Sequence, residues 1–190
     1  MIRASFGFGE NIDWGSLLRI WPATLERQPR TSSSRWITRS DAKVDRVACP
    51  WLIRRFIDPR AEFFFVPEEQ LLQTARKLRA IPFDANRFPE IKLNHRGQRC
   101  TFEAILEDYA ITDPALHRLA LVVRGADIKG QEQIASESLG LRAIAHGFAQ
   151  TGISDEERLN QEFPIYDALY QFLRSKDSAN FRIKSARQRI

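Results

Sequence analysis

The sequence predicts an α+β (or α/β) domain, with a small mixed sheet in the first half packed by a predominantly helical second half. Three observations predict it. Short apolar runs bounded by Pro or Gly, the pattern of buried strands, cluster before residue 95. Apolar residues at three- and four-residue spacing dominate after residue 100, the pattern of amphipathic helices. The chain has 190 residues, 43% of them apolar and 28% charged, as one ordinary globular domain requires.

The elements follow in order. Residues 1–34 read as an N-terminal extension and linker, in which 12–23 carry Trp14, Leu17, Leu18 and Trp21 as a helical stripe and Thr31 to Ser34 make the link. Residues 36–39 form a short strand and 44–57 a helix. Residues 61–66 (AEFFFV), held between Pro59 and Pro67, form a buried strand. Residues 68–79 form a helix with Leu71, Leu72, Ala75 and Leu78 on one face. Residues 80–83 and 91–94 are further short strands, and 101–109 are helical. Asp113-Pro114 is a cap followed by proline at the first helical position, so a helix bearing Leu116, Leu119, Ala120, Val122 and Val123 starts there. Residues 139–149 form another helix. Ser154 and Glu157 stand at capping-box spacing and open a short one. Residues 164–174 close the domain, which spans 35–175, and a basic, flexible tail occupies 176–190.

The net charge is +5 and the isoelectric point about 9.6, a balance that invites a nucleic-acid reading. The excess sits in the flanks: residues 1–35 carry +2, 36–175 carry −1 and 176–190 carry +4. Contact with DNA is therefore expected only indirectly or through the basic tail, by non-specific counterion release. No run approaches the length of a membrane span, and the N-terminus has no continuous apolar stretch of the secretory kind. A cytoplasmic protein with Cys49 and Cys100 reduced is the expectation. Oligomeric state has no signature here.

Chemistry concentrates between Arg39 and Arg60, where six Arg or Lys residues face three acids. The helix within, VDRVACPWLIRRFID, is apolar nearly all round and must be central. Arg46, Arg54 and Arg55 then cannot all reach bulk water, and a buried guanidinium needs an anion. That anion is either an internal carboxylate (Asp45, Asp84, Glu103 or Asp127) or a ligand. Pro50 leaves two geometries open. With Pro50 in the first turn, Cys49 is the cap and its thiol is activated by the helix dipole. With the helix starting near Asp45, Cys49 is a small core residue. Either way Arg46 lies within a turn of Cys49, and Arg39 at the end of a strand can converge on the same spot, a combination suited to a small oxyanion.

A second cluster is NHRGQRCTFE, in which an Arg-Gly-Gln turn separates His95 from Cys100 and Glu103. His95, Glu103 and Asp127 are the weak metal-ligand candidates, since no paired Cys or His spacing supports a zinc site. No phosphate-binding glycine loop or nucleophile elbow is present. The sequence names no cofactor.

The stretches WITR, KVDRVACPWLIRRFID, FFFVP, IPFD, HRGQRCTFE, GAD and YDALY occur in this order and resemble the C-terminal domain of the ChrB family of chromate-resistance proteins. The resemblance covers roughly residues 35–173. It implies a role in chromate resistance, as a sensor or regulator in a stress response. The family's recurrent polar positions fall on Arg39, Asp45, Arg46, Cys49, Arg54, Arg55, Asp84, His95, Cys100, Glu103 and Asp127. Fuller members carry a larger N-terminal region to which DNA binding is assigned, whereas residues 1–34 are too few for an ordinary winged helix. Two readings follow. In one, the domain binds chromate or a related oxyanion through Arg39, Arg46, His95, Arg54 and Arg55. In the other, it is a redox- or metal-dependent enzyme that uses Cys49, His95 and Glu103 on a small substrate.

Overall fold

The computed structural model describes residues 33–187, from 176 onward by backbone alone. The helix expected over 12–23 lies outside the described residues. The sheet is built on β1 (Arg35–Arg39), which pairs in parallel with β2 (Glu62–Val66) on one side and β3 (Ile81–Pro82) on the other. The α+β reading holds, with the three strands all parallel. Residues 91–94 add no strand of their own and contribute an isolated bridge, Phe83 to Leu93.

Parallel neighbours require crossovers. Helix α1 (Val44–Leu52) connects β1 to β2, and α2 (Leu71–Leu78) connects β2 to β3. Because β2 and β3 flank β1 on opposite sides, right-handed crossovers put α1 and α2 on opposite faces. The side chains of β1 obey this. Ile37 packs against Ala75, Leu78 and Ala80 of the α2 side, with Phe64 and Val66 beside it. Trp36 turns the other way, edge-on to Phe83 at 6.3 Å and against Tyr109 at 6.2 Å. Both faces are covered, which is why β2 reads as a continuous apolar run rather than as an alternating one.

Helix α1 starts at Val44, so Pro50 falls inside it and Cys49 is an interior residue, the second of the two geometries. Its last expected turn is a π-helical turn, Ile53–Ile57. Nearly all of α1 is buried, as its all-round apolar character requires, and Trp51 sits at the centre of an aromatic cluster with Phe56, Phe102, Tyr166 and Tyr170.

The helical half comprises α3 (Thr101–Asp108), α4 (Pro114–Asp127), α5 (Ser138–Gln150) and α6 (Asp155–Arg187). Asp113 caps α4 through the N–H groups of Ala115 at 2.7 Å and Leu116 at 3.3 Å. Gly125 lets α5 approach α4 closely, since a Cβ there would collide with Ser138. The short helix expected to open at Ser154 and the one over 164–174 are a single helix, and α6 runs through Pro164 to Arg187. A proline interior to a helix costs about 3 kcal/mol. It is tolerated because Leu159, Phe163, Tyr166, Tyr170 and Leu173, all buried, form one stripe across the proline, and each such side chain contributes about 1.5–3 kcal/mol. This stripe packs on α1 and α4. Among the described residues no helix is long and apolar enough to cross a membrane.

Candidate functional site

The carboxyl ends of the three strands bring charge together. Arg39 ends β1, Glu68 follows β2, Asp84 follows β3, and Asp45 and Arg46 lie in the first turn of α1. The chain leaves β1 toward β2 on one side and returns to β3 on the other. The gap between β1 and β3 is thus a topological switch point, the place where parallel sheets hold ligands.

Asp84 occupies that gap. Its backbone is left-handed (φ 47°), a conformation that aspartate tolerates better than most residues. The segment after it is sewn by buried Asn94, which accepts the Ala85 N–H at 2.8 Å and donates to the carbonyls of Ala85, Phe88 and Ile91. The next residue, His95, is held through its own N–H by Asn86 Oδ1 at 3.0 Å. A short irregular segment therefore carries both Asp84 and His95 in fixed positions.

The imidazole Nε2 of His95 lies 3.4 Å from each of three carboxylate oxygens: Asp45 Oδ2, Asp84 Oδ1 and Asp127 Oδ2. Asp45 is 1% exposed and meets the first turn of α3, whose Thr101 and Phe102 N–H groups donate to it at 2.6 and 3.1 Å. A carboxylate from another element thus satisfies amides that a helix start leaves open. The Thr101 hydroxyl donates to Asp84 Oδ1 at 3.0 Å, and the Cys49 thiol donates to Asp45 Oδ1 at 3.5 Å.

The other oxygen of Asp84 faces the arginines. Arg46 Nε is 3.5 Å from Asp84 Oδ2 and Arg39 Nη2 is 3.8 Å from it. Arg39 also donates to the Asp84 carbonyl at 3.2 Å and to Glu68 at 3.4 Å, and Arg46 donates to the Ser40 carbonyl at 2.9 Å. Arg39 and Arg46 do meet, and they meet on an acid.

The electrostatics follow from this geometry. Contact with the carboxylates of Asp127, Asp45 and Asp84, in that order, pushes His95 up to about 12, so the ring is an imidazolium at neutral pH. Burial pushes Asp45 up to about 6, opposed by its contact with His95 and reinforced by Asp127 and Asp84. Burial also works against the charge of Asp84, but His95 and Arg46 outweigh it and hold the carboxyl below its ordinary value. Burial lowers Arg46. Burial, then the charge of Asp45, pushes the thiols of Cys49 and Cys100 well above their usual range.

The remaining candidates lie elsewhere. Arg55 makes a two-pronged pair with Asp167 at 2.8 and 2.9 Å, and Arg54 donates to the Ala61 carbonyl and lies over Phe63 and Phe163. Glu103 accepts the Cys100 N–H at 3.0 Å and pairs with Arg124 at 3.3 Å, so it closes the α3 cap and stays out of the cluster. Asp127 joins the cluster only through His95. Asn94 and Thr101, which position the acids, were not singled out from the sequence. An amide between two short apolar runs and a threonine at a helix start are the signals that mark them.

The family described as ChrB, C-terminal domain, matches residues 36–173. Over 136 residues the chain is 34% identical to Protein ChrB of Cupriavidus metallidurans (strain ATCC 43123 / DSM 2839 / NBRC 102507 / CH34), a match covering 71% of this chain and 39% of that protein. The chain thus spans well under half the length of this curated relative. No solved structure matches.

Proposed function

The chain belongs to the ChrB family, and on that premise we propose that its domain binds chromate or a related small oxyanion at the switch point and reports it to a chromate-resistance response. Family membership supports the role in chromate resistance. The anion, the sensing and a regulatory, cytoplasmic setting go beyond what family membership supports. Any DNA contact is assigned to residues 176–190 or to a partner.

One observation carries the reading: Arg39 and Arg46 converge on Asp84 and both are loosely held. Their contacts to carboxylates measure 3.4, 3.5 and 3.8 Å, where a charge-assisted hydrogen bond is about 2.7–2.9 Å. Each guanidinium has five donors. Arg46 Nη2 meets no acceptor among the described residues, and Arg39 Nη2 has only the 3.8 Å contact. A tetrahedral dianion accepts in the geometry these groups offer. The redox-enzyme alternative fits less well, because a reactive cysteine needs thiolate character and access, and Cys49 and Cys100 are buried thiols held protonated.

Calorimetric titration of the full chain with chromate, with sulfate as competitor, tests this. Saturable binding is expected, weakened at least about tenfold in Arg39→Ala and in Arg46→Ala and unchanged in Arg55→Ala. Equal affinity in wild type and a folded Arg46→Ala protein overturns the reading.

A further inference from the structure

We propose that Asp45, Asp84 and His95 form a site for a divalent first-row metal ion, and that this ion shares Asp84 with the arginine pair. Hydrogen bonding does not account for the cluster. Nε2 of His95 carries one hydrogen, yet three carboxylate oxygens surround it at an equal 3.4 Å. One N–H cannot point at three acceptors, and 3.4 Å exceeds the about 2.7–2.9 Å of a charge-assisted bond.

The same spacing suits coordination. Donors placed tetrahedrally about 2.1 Å from a metal stand about 3.4 Å from one another. The ligand atoms of Asp45, Asp84 and His95 all lie within 4.8 Å of one another, a set that closes on an ion with small side-chain shifts. Asp127 reaches the imidazole but stays outside this trio.

The carboxylates are also oriented as ligands are. The N–H groups of Thr101 and Phe102 fix Asp45, and the Thr101 hydroxyl and Arg46 fix Asp84. Such outer contacts set ligand direction and basicity. Two carboxylates and an imidazole suit Mn2+, Fe2+ or Zn2+. The ion takes the place of the proton on Nε2, which leaves to solvent.

Asp84 couples the two sites. Its Oδ1 faces His95 and its Oδ2 faces Arg46 and Arg39. A cation on Oδ1 draws the carboxylate's charge away from the guanidiniums and leaves them to an external anion. This coupling rests on the oxyanion reading, whereas the metal site does not.

The test uses the full chain stripped with chelator and titrated with Mn2+, free Mn2+ being read by electron paramagnetic resonance and Zn2+ serving as competitor. One equivalent is expected to bind, and His95→Gln and Asp84→Asn are each expected to lower Mn2+ affinity at least about tenfold with unchanged circular dichroism, while Arg55→Ala binds as wild type does. His95 is partly exposed, so its variant keeps the test decisive if Asp84→Asn fails to fold. Failure of the folded chain to take up Mn2+ or Zn2+ at millimolar concentration, or unchanged affinity in His95→Gln, overturns the proposal. Chromate affinity is expected to rise at saturating Mn2+. Mn2+ uptake without any chromate binding leaves the metal site standing and ends the oxyanion reading; chromate binding without metal uptake does the reverse.

Discussion

Helix α1 and the π turn that extends it treat arginine in opposite ways at their two ends. At the C-terminal end Arg55 grips Asp167 with two bonds of 2.8 and 2.9 Å, and the Trp51 indole donates to the same carboxylate at 2.8 Å. At the N-terminal end the nearest carboxylate to Arg46 is 3.5 Å away. Exposure runs against this ranking. The Arg46 side chain is 15% exposed and that of Arg55 is 29% exposed, so the more buried charge is the less well paired. A structural ion pair is optimised for its own two partners, as at Asp167. A buried charge left under-paired beside an imidazolium and several acids is the mark of a site that serves something else.

The largest expected effect that sharpens this comparison is at Asp45. Asp45→Ala removes the acceptor of two α3 amides and one partner of a buried charge network, and about 3–5 kcal/mol of stability should be lost in urea unfolding. A loss below about 1 kcal/mol would show that the cluster does not hold α3 in place. Next comes Arg55→Ala, which should cost roughly 1–2 kcal/mol, reduced by solvent screening, and leave anion affinity alone. Arg46→Ala should cost less stability than Arg55→Ala while costing far more affinity. The reverse order would break the distinction between the two ends.

The last comparison is a pH slope in the metal-free protein. The folded pKa of His95, about 12, lies above its ordinary value of 6.5. Its stabilisation is therefore complete below about pH 6.5 and is lost as pH rises from there toward the folded value. Urea midpoints should fall between pH 7 and 9 in the wild type and run flatter in His95→Gln; parallel profiles would show that the imidazolium does not stabilise the fold.

Much of the local structure was legible beforehand. Asp113-Pro114 marked the start of α4, the proline-bounded FFFV run marked β2, and the all-round apolar character of VDRVACPWLIRRFID marked a central helix. Pro164 misled because a local penalty of about 3 kcal/mol was set against nothing, whereas the stripe from Leu159 to Leu173 supplies more than that through contacts with α1 and α4. The π turn at Ile53–Ile57 has no local signature of its own. In the cluster, Arg39, Arg46 and His95 were visible as charged residues near strand and turn ends. Asp84 was visible only as one of several acids, because its importance comes from standing between two strands that meet through a crossover.

What the sequence by itself determined is most of the elements, the near neutrality of the domain against its basic flanks, and the kinship carried by the DRVACPWLIRRFID run. Those depend on periodicity, caps and composition, which are properties of neighbouring residues. The tertiary structure alone decided which acid each arginine meets and which carboxylates surround His95. Arg39 reaches Asp84 across 45 positions and Asp45 reaches Thr101 across 56, and electrostatic energy depends on separation in space and on burial. Neither quantity exists until the strands have paired and the helices have closed over them.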